Sequence, residues 1–176
     1  DRFFQVVKDR AKKSPVVLGV HIEPENTEQL FSQHLNNLVV VGSLSYSDAK
    51  LLANHHSNED IPHLYKLLKY SGMRRRALIN LCIETYSIRG NFNVESIEFG
   101  TTNLADNSQR VYKHIFEDHF TEQQREVIRI ILAGNKIFQN NINTEILFRT
   151  GLIKKEDGEI ILNGKLLELI FWKVLG

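Results

Sequence analysis

The chain has 176 residues, 42% hydrophobic and 24% charged, with a formal net charge of +1 at pH 7. This balance excludes a wholly disordered or collagen-like chain, and the charge is lower than a dedicated nucleic-acid binder usually carries. At roughly 100–200 residues per domain the length allows one domain or two small ones, and a first residue of Asp1 rather than Met leads us to expect a trimmed chain or a piece of a longer one.

Residues 1–42 form the first of three segments. Phe3, Phe4, Val6, Val7 and Ala11 suit one face of a helix that Ser14-Pro15 ends. The run Val-Val-Leu-Gly-Val-His-Ile within residues 15–22 suits a strand buried on both faces, and Pro24 stops it. Residues 27–35, with Leu30, Phe31 and Leu35, suit a second helix, and residues 38–42 a second buried strand. Two parallel strands cannot bury both faces unaided, so the segment reads as the trailing edge of an α/β domain.

Residues 43–105 read as mostly helical. Ser45 with Asp48 three residues later gives a capping box ahead of Ala49, Leu51, Leu52 and Ala53. Residues 54–60 are polar and expected as a loop, with Asp60 capping a helix that takes Pro62 in its first turn. Ile61, Leu64, Tyr65 and Leu68 recur with helical spacing and predict its apolar face; Ser71-Gly72 breaks it. Ala77, Leu78, Leu81, Cys82 and Thr85 mark another helix, ending near Arg89-Gly90. Residues 91–105 read as a connector holding a short helix over 94–99.

Residues 106–176 begin with the helical stripe Val111, Ile115, Phe116 and Phe120. Thr121 caps the next helix, whose first turn holds Glu122 and whose apolar positions are Val127, Ile130 and Ile131; Gly134 ends it. Asn143 or Thr144 caps a short helix with Ile146, Leu147 and Phe148, closed at Gly151. Asp157-Gly158 between two short runs, Leu152 to Lys155 and Glu159 to Leu162, predicts a β-hairpin. A last helix carries Leu166, Leu167, Leu169, Ile170 and Phe171, with Trp172 expected in its packed face. Three helices and a hairpin describe a winged helix.

Three stretches carry a family likeness. Leu44-Ser45-Tyr46-Ser47-Asp48-Ala49-Lys50-Leu51-Leu52 resembles the segment that opens the helical lid of AAA+/STAND-type P-loop ATPases. Gly72-Met73-Arg74-Arg75-Arg76-Ala77-Leu78 is similar to the lid's sensor 2 motif, also found in origin-recognition initiators. Residues 120–125 through Thr150-Gly151-Leu152-Ile153 resemble the winged helix that follows such lids. The resemblance implies a mainly α chain: an α/β remnant of a P-loop core over 1–42, a helical lid over 43–105 and a winged helix over 106–176. It implies nucleotide contact by Arg75 and Gly72, ATP with Mg as the ligand of a longer chain, and an ATPase core as partner, with self-assembly open.

The departures from the family are specific. The chain contains no Gly-x-x-x-x-Gly-Lys-Ser/Thr phosphate loop and no arginine between Arg10 and Arg74. Ser32-Gln33-His34 stands where an arginine finger is expected, and either His21 or Glu23 fits the sensor 1 position. Accordingly, no catalytic residue is assigned, and ATP hydrolysis by this chain alone is not expected.

Three consecutive arginines at a helix start oppose the helix dipole, each by about 0.3–1 kcal/mol. A helix selected for stability alone prefers Asp or Glu there, whereas a guanidinium placed for a phosphate grips its oxygens bidentately. The plain alternative is a solvated basic helix start. Arg75 has the family spacing; Arg74 and Arg76 are expected at the surface. In the winged helix, Arg149, Lys154 and Lys155 are the candidates for contact with DNA or a partner protein. The acidic tip Glu156-Asp157-Gly158-Glu159 and the apolar Ile146, Leu147 and Phe148 favour protein over DNA. His55, His56 and His63 near Glu59 and Asp60 match no standard ligand spacing, so no metal site is assigned. Cys82 reads as a small core residue and has no partner for an internal disulfide. No apolar run approaches the roughly 18 residues of a membrane span, so a cytoplasmic protein without membrane contact is expected. The competing function is a free-standing winged-helix DNA-binding or regulatory protein.

Overall fold

A computed structural model describes residues 42–57, 61–135, 137 and 142–175. The helix and strand expectations for residues 1–41, the sensor 1 alternatives and the cap at Asp60 lie outside the described residues. Among the described residues are seven helices and one antiparallel pair of strands. In chain order they are α1 (Tyr46–Ser57), α2 (Leu64–Ser71), α3 (Arg75–Arg89), α4 (Val94–Asp118), α5 (Glu122–Leu132), α6 (Ile142–Arg149), β1 (Ile153–Glu156), β2 (Glu159–Leu162) and α7 (Lys165–Leu175). The mainly helical class expected from the sequence is what the structure has.

Local chemistry explains most element ends. Ser45 Oγ accepts the Asp48 amide at 3.2 Å and donates to the Asp48 carboxylate at 2.6 Å, starting α1. Thr121 and Gln124 form a reciprocal capping box at α5, each side chain accepting the other's backbone N–H at 3.1 Å. Asp157 and Gly158, with φ of 50° and 85°, make the tight turn between β1 and β2. Ile153 pairs with Leu162 and Glu156 with Glu159.

Several boundaries differ from the sequence reading. Helix α2 begins at Leu64, after Pro62 and His63, rather than enclosing Pro62. Its buried face is therefore Leu67 and Leu68, while Tyr65 is 70% exposed. Helix α6 begins at Ile142, so neither Asn143 nor Thr144 stands ahead of it as a cap. Residues 94–118 form one 25-residue helix, so the expected connector is absent and the division at 105/106 falls within α4. The small residues Ser96, Gly100, Thr101 and Ala105 are buried on α4. A Cβ at Gly100 would meet Thr85 Oγ1 at 2.8 Å, so α3 and α4 approach closely along this face. Small side chains thus pack beside Ile97 and Leu104 on this face.

Two apolar clusters form the core. Ala49, Ala53, Leu67, Leu68, Leu78, Leu81, Cys82 and Ile97 anchor the first. Phe116, Phe120, Val127, Ile128, Leu147, Ile153 and Ile160 anchor the second. Helices α4 and α7 serve both: Leu104 and Ile170 belong to the first, Phe116 and Phe171 to the second. Tyr112 packs against each, its ring edge-on to Phe171 at 6.0 Å. Two expected core positions are instead open: Val111 is 58% exposed and Trp172 51%. Their helices turn Tyr112 and Phe171 inward one position away.

Candidate functional site

The arginine-bearing start of α3 follows a sharply constrained turn. Gly72 closes α2 in the left-handed region at φ 63°, and its N–H reaches back to Leu68 and Lys69 carbonyls. Met73 follows at φ 52°, left-handed again but with a side chain, which is strained for a non-glycine residue. The chain then becomes extended at Arg74, and α3 begins at Arg75. No side chain caps α3 and no acid stands in its first turn. Its opening amides are therefore left without the usual intrahelical or capping partners.

The three arginines have different surroundings. Arg74 is half-buried and its Nη1 lies 3.4 Å from the Tyr112 hydroxyl. Arg75 and Arg76 are exposed and have no hydrogen-bond or ion-pair partner among the described residues. Several other basic side chains are matched to acids, as Arg89 to Glu95 at 3.1 Å, Arg129 to Glu122 at 2.6 Å and Lys173 to Asp106 at 2.6 Å, whereas Lys50, Lys69 and Arg110 have no ion pair among the described residues. The cation-bearing start of α3 is thus electrostatically unanswered, unlike most of the helical surface.

Gly72 is buried, and the approach it permits is to the chain itself. A Cβ there would collide with the Asn163 carbonyl, and the Asn163 side-chain amide donates to the Gly72 carbonyl at 3.0 Å. The expected open space for a phosphate beside Gly72 is on this side occupied by the turn that follows β2. Asn163 Nδ2 also lies 2.7 Å from Ser43 Oγ and 3.0 Å from the Gly151 carbonyl. Carbonyls can only accept, so the amide nitrogen, not its oxygen, must face them. No motif in the sequence singles out Asn163 or Ser43, and Met73 enters only as a spacer after Gly72; the dipeptide Asn163-Gly164 signals only a turn.

The other candidates lie elsewhere. Arg149, in the last turn of α6, is bonded to Glu145 at 3.0 Å. Lys154 pairs with Glu156 at 2.9 Å. That hydrogen bond holds the Glu156 carboxyl below the usual carboxylate range, with Lys69 of α2 adding to the effect. Lys155 is exposed at the hairpin and has no ion-pair partner among the described residues. Two of the three candidate contact residues are thus already engaged with acids. His55 and His56 end α1 with rings 5.5 Å apart, and His63 precedes α2. Among the described residues, no three His, Cys, Asp or Glu side chains converge as a metal site. Burial pushes the Cys82 thiol up to about 12. Among the described residues no helix is long and apolar enough to cross a membrane.

No family model matches the chain, and neither a curated protein nor a solved structure matches it significantly.

Proposed function

We propose that residues 43–175 are a nucleotide-state-reporting lid and winged helix that work with the phosphate-loop core of an AAA+/STAND-like ATPase. In this reading α1 to α4 are the lid, and α5, α6, the hairpin and α7 the winged helix. Arg75 meets a phosphate held by the core, which supplies the ATP and Mg site; this chain supplies the anion contact and the body that moves. The observation that carries the reading is the unanswered positive charge of Arg75 and Arg76 at an uncapped helix start. Helix-start amides and a guanidinium together favour a bound anion. The shared helices α4 and α7 support a lid whose rotation carries the hairpin half with it. A nucleotide drives such rotation only by differing in affinity for the two arrangements.

The hairpin half serves better as a contact surface for protein than for DNA. Glu145 and Glu156 neutralise Arg149 and Lys154, and phosphate contacts need free cations.

A titration of the chain with inorganic tripolyphosphate, followed by the arginine Nε–H and lysine resonances, tests the site. The Arg75 signal is expected to move first and to lose its response in high salt. Movement at Lys155 with Arg75 unaffected would transfer anion binding to the hairpin and overturn the assignment.

A further inference from the structure

We propose that Asn163 is a positioning residue through which the hairpin half fixes the stance of Arg75. The proposal rests on the reading of Arg75 as an anion contact. Its basis is the strained turn at Gly72 and Met73, with φ of 63° and 52°, directly ahead of Arg74 and Arg75. A non-glycine residue stays left-handed only where its surroundings over-determine it. Besides the Met73 N–H bond to the Leu68 carbonyl at 3.2 Å, three contacts do so here. Ser71 Oγ accepts the Met73 N–H at 3.2 Å. The Met73 carbonyl accepts the Leu44 N–H at 2.8 Å. The Gly72 carbonyl accepts the Asn163 amide at 3.0 Å.

The first two come from the helical half. The third comes from beyond the hairpin: the Asn163 N–H donates to the Leu152 carbonyl at 2.9 Å, and its side chain reaches the Gly151 carbonyl. Residues 42–44 pass through the same junction. A Cβ at Gly151 would meet Ser43 Oγ at 2.8 Å, and one at Gly164 would meet the Gly72 nitrogen at 2.5 Å. Close backbone approaches leave no slack, so displacement of the Gly151 turn pulls on the Gly72 carbonyl and turns the start of α3. Asn163 is only 6% exposed, so water cannot readily replace its amide. The hairpin and the arginine turn thus share one mechanical joint.

Asn163→Leu keeps the branched shape, though not the volume, and removes the donor; Asn163→Ser is the milder variant should the first fail to fold. Gly90→Ala is the control, because Gly90 is left-handed with nothing within 4 Å and its substitution loosens the chain away from the joint. Amide hydrogen exchange and tripolyphosphate affinity are measured for each, with Arg75→Ala alongside. Loss of Asn163 is expected to speed exchange at Leu44 and Met73 by about tenfold relative to Ile128. Its tripolyphosphate affinity is expected to fall to that of Arg75→Ala, while the Gly90→Ala control keeps the parent's. Equal acceleration at Leu44, Met73 and Ile128, or parent-like affinity without Asn163, would overturn the proposal. If Arg75→Ala itself leaves affinity unchanged, the anion reading fails, and the local exchange pattern alone decides whether Asn163 holds the turn.

Discussion

The Asn163 carbonyl occupies the place where a side chain on Gly72 would have to stand, and the Asn163 amide bonds the Gly72 carbonyl at 3.0 Å. Gly72→Ala should therefore combine a left-handed penalty with a backbone collision, on the order of 3 kcal/mol or more. Gly90→Ala, with φ 65° and open space around it, should cost only about 1–2 kcal/mol. Urea denaturation of the two variants separates collision from conformation. Similar losses would mean that the Gly72–Asn163 contact relaxes freely.

The two apolar clusters give a second prediction. Leu78 and Ile128 are fully buried, and Leu78→Ala and Ile128→Ala should each destabilise by about 2–5 kcal/mol. Ile130 is only half-buried, so Ile130→Ala should cost less than either. Thermal melts check the order. An Ile130 loss equal to that at Ile128 would place α5 in a different rotation.

Local signals made much of this structure readable. Thr121 as a cap, Asp157-Gly158 and the Leu78, Leu81, Cys82, Thr85 spacing each act within a few residues of chain. Helix α4 was hidden because Ser96, Gly100, Thr101 and Ala105 share its packing face with Ile97 and Leu104, and such small residues mimic a connector until Thr85 is brought against Gly100. Tyr65, Val111 and Trp172 show the same limit in reverse: apolar spacing alone assigned them inward, and each is more than half exposed. The Asn163 joint left no local trace, since its partners Ser43 and Gly72 lie 120 and 91 residues away in sequence. The resemblance over residues 72–78 drew attention to Gly72 and Arg75, but not to what holds the turn between them.

Cys82 carries the pH prediction. Burial pushes its thiol up to about 12, whereas an unfolded thiol ionises near 8.5. A raised folded pKa contributes stability that is complete below the unfolded value and lost as pH rises toward the folded one. The parent should lose stability relative to Cys82→Ala by on the order of 1–2 kcal/mol between pH 7.5 and about 10. Paired urea titrations read that difference. A constant gap between the two proteins, or rapid thiol labelling of the folded chain, would show that the thiol reaches water.

DNA binding should be weak and insensitive to sequence, given a net charge of +1 and the engagement of Arg149 and Lys154 with acids. Fluorescence anisotropy at physiological salt is expected to show no saturation at nanomolar protein. Tight, sequence-selective binding lost in Arg149→Ala would instead favour a winged-helix DNA reader.

The central claim is that Arg75 senses nucleotide phosphate, and ATP affinity in the full-length ATPase to which we assign this module tests it most directly. A charge-assisted phosphate contact is worth about 1.5–3 kcal/mol, so Arg75→Ala should weaken ATP binding roughly 10- to 150-fold. Arg75→Lys should recover only part, because an ammonium lacks the bidentate fork. Arg74→Ala should have a much smaller effect, since Arg74 is half-buried beside Tyr112 while Arg75 is exposed. Unchanged affinity in Arg75→Ala, or equal losses at Arg74 and Arg75, would contradict the assignment.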